Sequence, residues 1–142
     1  MNFYSEILKL KAKILALNYV DVFGVTDPSG VSPTIYCTTD KTETLEGNLP
    51  AVAIEDGKTN GQYLSTGQFN VAQHNATIWC CVSAHEIAYD LAKTNAEKLA
   101  TEVMKQMHGL KIRVKQDGID RAELSISSEK AVAVILDCIC YE

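Results

Sequence analysis

The sequence lacks any apolar run of the roughly 18 residues that a membrane-spanning helix needs. Its opening stretch, MNFYSEILKLKAKILALNYV, is broken by Glu6, Lys9, Lys11 and Lys13, so it has no continuous apolar segment of the kind a secretory signal carries. There is no basic excess either: 13 Lys and Arg stand against 18 Asp and Glu, a net charge of -5. That balance disfavours coating of nucleic acid or of an anionic membrane. Aromatic residues are few, at 7%, with a single Trp. No G-x-G-x-x-G, P-loop, H-E-x-x-H or G-x-S-x-G motif occurs, so any active site must be assembled from scattered residues. Internal repeats, low-complexity tracts and linkers are absent too, which points to one domain over residues 1–142.

What is present suits a soluble globular protein made in the cytoplasm: 142 residues, 46% hydrophobic and 22% charged. Five cysteines, Cys37, Cys80, Cys81, Cys138 and Cys140, make complete internal pairing impossible. The last four lie in apolar, strand-like runs and read as packing thiols. Cys37 sits in the looser TIYCTTD segment and is expected to be the most reactive, placed to meet an adjacent subunit and to form an inter-subunit disulfide if the protein ends up outside the cell.

Phe3, Ile7, Leu10, Ile14 and Leu17 recur at helical spacing, and Tyr4, Leu8 and Leu15 widen the apolar arc enough for a second contact. Tyr19 to Val25 and Thr34 to Thr38 are rich in β-branched and aromatic residues and read as two strands of a hairpin around the Asp27-Pro28-Ser29-Gly30 turn. Leu49 to Glu55 reads as a strand begun through Pro50. Residues 56–67, DGKTNGQYLSTG, read as a long exposed loop that a partner orders, with Tyr63 and Leu64 as its anchors. Gln68 to Ser83 is a long strand whose alternation is interrupted at Gln73, His74 and Asn75, signalling either a bulge or two strands joined by a turn. Ser83 to Glu86 fits a capping box opening a helix to about His108, with Ala88, Ala92, Ala96, Leu99, Val103 and Met107 as its inner stripe and Gly109 as its left-handed stop. Leu110 to Lys115 and Ala122 to Ser127 read as strands around an Asp117-Gly118 turn, and Ala131 to Tyr141 as a well-buried strand.

His74, Cys80, Cys81 and His85 do not match a zinc spacing, and Cys80 and Cys81 on a strand would point to opposite faces. Cys138 and Cys140 share a face and read as packing. Asp137, the one charge in the last strand, is expected to be partly exposed or paired with Lys or Arg. No catalytic, metal or cofactor site is expected.

The order of elements predicts an α+β fold: a mostly antiparallel sheet with two main helices packed on one face. The opening helix Phe3–Leu17, the NLPAVAIED strand followed by the Gly-rich loop 56–67, the long strand ending TIWCCVSA, the helix HEIAYDLAKTNAEKLATEVMKQM and the closing strand KAVAVILDCICYE together resemble the tail terminator and tail-completion proteins of long-tailed bacteriophages. That resemblance implies a structural virion protein rather than an enzyme. It implies a ring of six subunits that caps the tail tube, ends its polymerisation and joins it to the neck or head. The implied partners are other copies of the chain, the tail tube protein and a neck or head-completion protein, and DNA passes through the ring without specific binding. The implied location is the host cytoplasm during assembly and then the virion. Neck and head-to-tail joining proteins have a similar fold and are an alternative, as is a small cytoplasmic enzyme or ligand-binding domain.

Overall fold

A computed structural model describes residues 3–25, 34–40, 45, 48–63, 69–84, 88–126 and 129–141. In chain order the elements are α1 (Phe3–Leu15), α2 (Tyr19–Phe23), β1 (Tyr36–Thr38), β2 (Ala51–Tyr63), β3 (Phe69–Ser83), α3 (Tyr89–Gln106), β4 (Ile112–Ile126) and β5 (Glu129–Cys140). The strands form one sheet in the order β1-β2-β3-β5-β4. All pairings are antiparallel except the short β1, which runs parallel to the start of β2. The fold is α+β, as the pattern of elements predicts.

Period-two alternation sends Ala76, Ile78, Cys80 and Val82 of β3 and Val132, Val134, Leu136, Cys138 and Cys140 of β5 to the face that meets the helices. α1 buries Phe3, Ile7, Leu10 and Ile14 against that face. α3 buries Ala92, Ala96, Leu99, Ala100 and Val103. Its alanines bring the helix close to β3 and β5, and the whole forms one apolar core. Cys81 lies on the opposite face from Cys80, as a strand requires.

Four elements differ from the sequence reading. Tyr19 to Phe23 is a helical turn and a half, not a strand. Tyr19 and Phe23 pack one turn apart with their rings tilted by 48° and centroids 4.6 Å apart, and Val22 and Phe23 are buried. Gly24, at φ +76°, ends it with its N–H on the Val20 carbonyl. These contacts override the strand propensity of Val and Tyr, and no hairpin joins 19–25 to 34–38; Asn18 and Thr34 make an isolated bridge. The Asp27 to Gly30 turn lies outside the described residues.

Residues 56–63 are not loop. β2 continues through them, paired to β3 as far as Tyr63 with Phe69, and residues 64–67 lie outside the described residues. Backbone pairing needs no apolar side chain, so a polar, glycine-containing segment extends the strand. The interrupted alternation of β3 is a bulge: Gly57 and Lys58 of β2 together face Asn75, between the pairs Asp56 with Ala76 and Thr59 with His74. A Cβ on Gly57 would stand 2.8 Å from the Asn75 carbonyl oxygen, so the close approach requires glycine.

The helix α3 starts at Tyr89, with Ala88 in the N-cap position and no side-chain cap. Ser83 is instead the last residue of β3, paired with Ala131, and the Ala84 N–H still reaches the Lys130 carbonyl. The strand ladder therefore claims the residues that would have opened a capping box, whose His85 and Glu86 lie outside the described residues. At the far end α3 gives way to turns, and Gly109 adopts φ +83°.

Asp117-Gly118 is not a hairpin turn. β4 is one strand, and its residues 115–118 bulge opposite Asp137 alone. Asp117 takes the positive φ of 57°, and a Cβ on Gly118 would sit 2.6 Å from the Asp137 carbonyl oxygen. Asp137 is half-exposed with Lys115 Nζ 3.5 Å from its carboxylate, in line with the sequence reading. Ser127 lies outside the described residues.

Candidate functional site

The helix α1 carries two apolar faces. Its core stripe is fully used, yet Tyr4, Leu8 and Leu15 remain 45%, 44% and 43% exposed. At 100° per residue these three lie within about 40° of arc, well away from the core stripe, so they form a single ridge. Lys11 borders that ridge, while Lys9 holds Glu6 at 3.0 Å and Lys13 donates to the His108 carbonyl at 2.9 Å. Glu6 also accepts the Lys111 backbone N–H at 2.8 Å, and this bond, with Lys9 beside it, holds its carboxyl below the usual range. The ridge is therefore fixed in place by ties from α1 to the segment between α3 and β4.

The second polar feature is built by the β2 bulge. Its extra residue brings Asp56 and Thr59 to the two sides of the His74 ring, which is stacked parallel on Phe3 with centroids 5.3 Å apart. The Asp56 carboxylate can only accept, so His74 Nε2 donates to it, while Nδ1 is hydrogen-bonded to the Thr59 hydroxyl. His74 is 8% exposed. A hydroxyl, an imidazole and a carboxylate in a row is the chain of an acid–base relay. Four clefts, along α3 and β4 and beside α2 and β1, are lined by other described residues. The arrangement satisfies a buried imidazole and pins the bulge to α1. Sequence spacing does not reveal it, because Asp56 and Thr59 straddle the bulge.

Among the described residues, no cluster of three or more His, Cys, Asp or Glu is disposed to hold a metal ion. His85, weighed as a ligand, lies outside them.

All five cysteines are free and buried. This corrects the expectation for Cys37. β1 inserts it into the core opposite Val52 at 4% exposure, and burial pushes its thiol up to about 12. Burial likewise raises Cys138 to about 12 and Cys81 and Cys140 to about 11, and it drives Cys80 well upward. Cys37 is therefore no more available to a neighbour than the strand cysteines. Tyr63 ends β2, paired through its backbone with Phe69, and Leu64 lies outside the described residues.

Between α3 and β4 run two clefts. One, of about 490 Å³, has Val132 and Val134 at its floor and the Arg121–Glu97 ion pair (2.8 Å) at its rim. The other, of about 650 Å³, is lined by Met104, Met107, Ile112 and Val114 among others. Ile119 of β4, 45% exposed, lies between them along the strand.

No helix among the described residues is long and apolar enough to cross a membrane. No protein-family model matches the chain, and no curated protein does either.

Proposed function

We propose that the chain is a structural assembly protein of the tail-terminator kind. In this reading its copies close into a ring, of six subunits by the resemblance, that caps a phage tail tube and joins it to the neck. The observation that carries this reading is the ridge of Tyr4, Leu8 and Leu15. Large apolar side chains aligned on one exposed helix face, on a chain of net charge -5, mark a surface that works by being covered. The element order supports it too: an opening helix, long paired strands, an alanine-rich helix and an apolar closing strand inside the sheet, between β3 and β4. The negative charge suits a passage through which DNA slides without adhering. A neck or head-to-tail joining protein of similar fold is the neighbouring reading, and it shares the ring and the ridge.

The test is tube capping. The chain is added to polymerising tail tube protein taken from the same gene neighbourhood, and tubes are imaged by electron microscopy. The reading expects shorter tubes with a ring at one end only. Tubes of unchanged length without an end ring reject the terminator role, and rings bound to neck protein alone favour the neighbouring reading.

A further inference from the structure

We propose that the hairpin of β2 and β3 beyond Thr59 and His74 is an arm whose two edges pair with the same arms of neighbouring copies, so that the arms form a collar across one mouth of the ring. This deepens the ring reading above and rests on it.

The sheet supports this hairpin only part of the way. β1 pairs with β2 at residues 51–53 alone, and β5 pairs with β3 from Ser83 as far as His74. Beyond those pairs, residues 60–63 and 69–73 are joined, among the described residues, only to each other. At about 3.4 Å per residue, this part of the arm projects about 14 Å from the supported sheet. A ribbon of two strands is marginally stable in water, and a third strand is what makes such a ribbon hold. The base of the arm is nonetheless fixed: His74 is bonded to Asp56 and Thr59 of β2 and stacked on Phe3 of α1.

The edges of the arm lack the usual guards against pairing. Residues 59–73, TNGQYLSTGQFNVAQ, hold no Lys, Arg, Asp, Glu or Pro in a chain that is 22% charged. Charge and proline are what keep exposed strand edges from joining others. The opposite edge of the same sheet is guarded, since β4 carries Arg113, Lys115, Asp117, Asp120, Arg121 and Glu123. The arm is also bent. Gly57 and Lys58 bulge from β2, and Ala72 of β3 stands between the pairs Asn60 with Gln73 and Gly61 with Val71. Bulges of this kind curve a sheet toward closure.

The occupant that fits is another copy of the arm. A foreign strand would satisfy one edge and leave the other open, whereas repetition satisfies both. β2 and β3 run in opposite directions. Copies related by rotation about an axis along the arms therefore set the outer edge of β2 in one copy antiparallel to the outer edge of β3 in the next. That contact is heterologous, and a closed circle of it leaves no free edge. Six copies, the number the resemblance implies, would supply twelve strands; at about 4.8 Å spacing and about 40° tilt these span about 24 Å between backbones. Side chains lining that collar leave too little room for a DNA duplex, so the collar is a shut state and the arms part to admit DNA.

Electron microscopy and hydrogen exchange test this on the whole protein. Images of the assembled ring should show density across one mouth. A variant with residues 61–72 replaced by Asn-Gly, which closes Asn60 on Gln73 as a two-residue hairpin, should leave that mouth open or need at least ten-fold more protein than the parent to associate. Should circular dichroism show this variant unfolded, exchange on the parent decides alone. In an unassembled arm, alternate N–H groups along each strand point away from the partner strand and exchange with solvent. Assembly should slow these at 60–63 and at 69–73 together, by at least ten-fold. Slowing on one strand only or on neither, two open mouths in the parent ring, or a closed mouth in the shortened variant would each overturn the proposal while leaving the ring reading intact. A parent that stays monomeric at every concentration, alone and with tail tube protein, would overturn the ring reading itself.

Discussion

Mild alkali should unfold this protein well before its lysines finish titrating, because its core is laid with thiols. All five cysteines have folded-state values raised above the ordinary 9.0 by burial, to about 11 or 12 where a value can be set. A raised folded value means that the neutral thiol is favoured in the native state. The associated stability is fully present below about pH 9 and is lost as pH rises toward 11 and 12, since the unfolded chain ionises first. At about pH 10 each thiol ionises in the unfolded chain and hardly at all in the folded one, which favours unfolding by about 1.4 kcal/mol. Five of them sum to about 7 kcal/mol, within the 5–15 kcal/mol that holds a typical domain together. Urea melts followed by circular dichroism at about pH 8 and pH 10, under reducing conditions, measure the difference directly. Cys81→Ala should lower the pH 8 stability through lost packing but should shrink the loss between the two pH values by about 1.4 kcal/mol. A parent whose stability changes by less than about 2 kcal/mol over that range would refute the reasoning, because its thiols would then ionise in place.

Gly118→Ala should lower stability by about 1–3 kcal/mol, since the new Cβ would press on the Asp137 and Lys115 carbonyl oxygens at 2.6 and 2.8 Å, and thermal melts will show it. Glu6→Gln removes a charge-assisted bond to the Lys111 N–H and should cost about 1–2 kcal/mol near neutral pH. Because the folded carboxyl is held below its ordinary 4.5, the parent's advantage is present above that value and is lost as pH falls through the depressed folded one; urea melts at neutral and acid pH should show the two proteins converging. His74→Ala should destabilise by about 2–3 kcal/mol, by emptying the site under Phe3 and unpairing Asp56. Thr59→Ala should cost about 1 kcal/mol or less, because Thr59 is exposed, and denaturant midpoints will rank the two.

The parts of the fold with strong periodicity were legible in the residues. The stripe from Phe3 to Ile14, the alanine stripe of α3 and the apolar run from Ala131 to Cys140 all appear where their patterns place them. The pairings were less legible, because strands held by backbone hydrogen bonds leave little trace in side chains. Residues 56–63 look like loop yet continue β2, and Asp117-Gly118 looks like a hairpin turn yet is a bulge within one strand. Tyr19 to Phe23 shows the limit of propensity: its aromatic pair at helical spacing was the better guide than its β-branched residues. The ridge on α1 could be seen as surplus width in an apolar arc. The clefts beside β4 could not, since they depend on which strands the two helices leave uncovered.

The claim that these copies assemble into a ring is tested most directly by mass. The monomer is 15.6 kDa, so mass-resolved sedimentation or native mass spectrometry at high protein concentration should find one discrete closed species, near 94 kDa for six copies, with no ladder of larger ones. A single 15.6 kDa species at every concentration, both alone and with tail tube protein, would contradict the account.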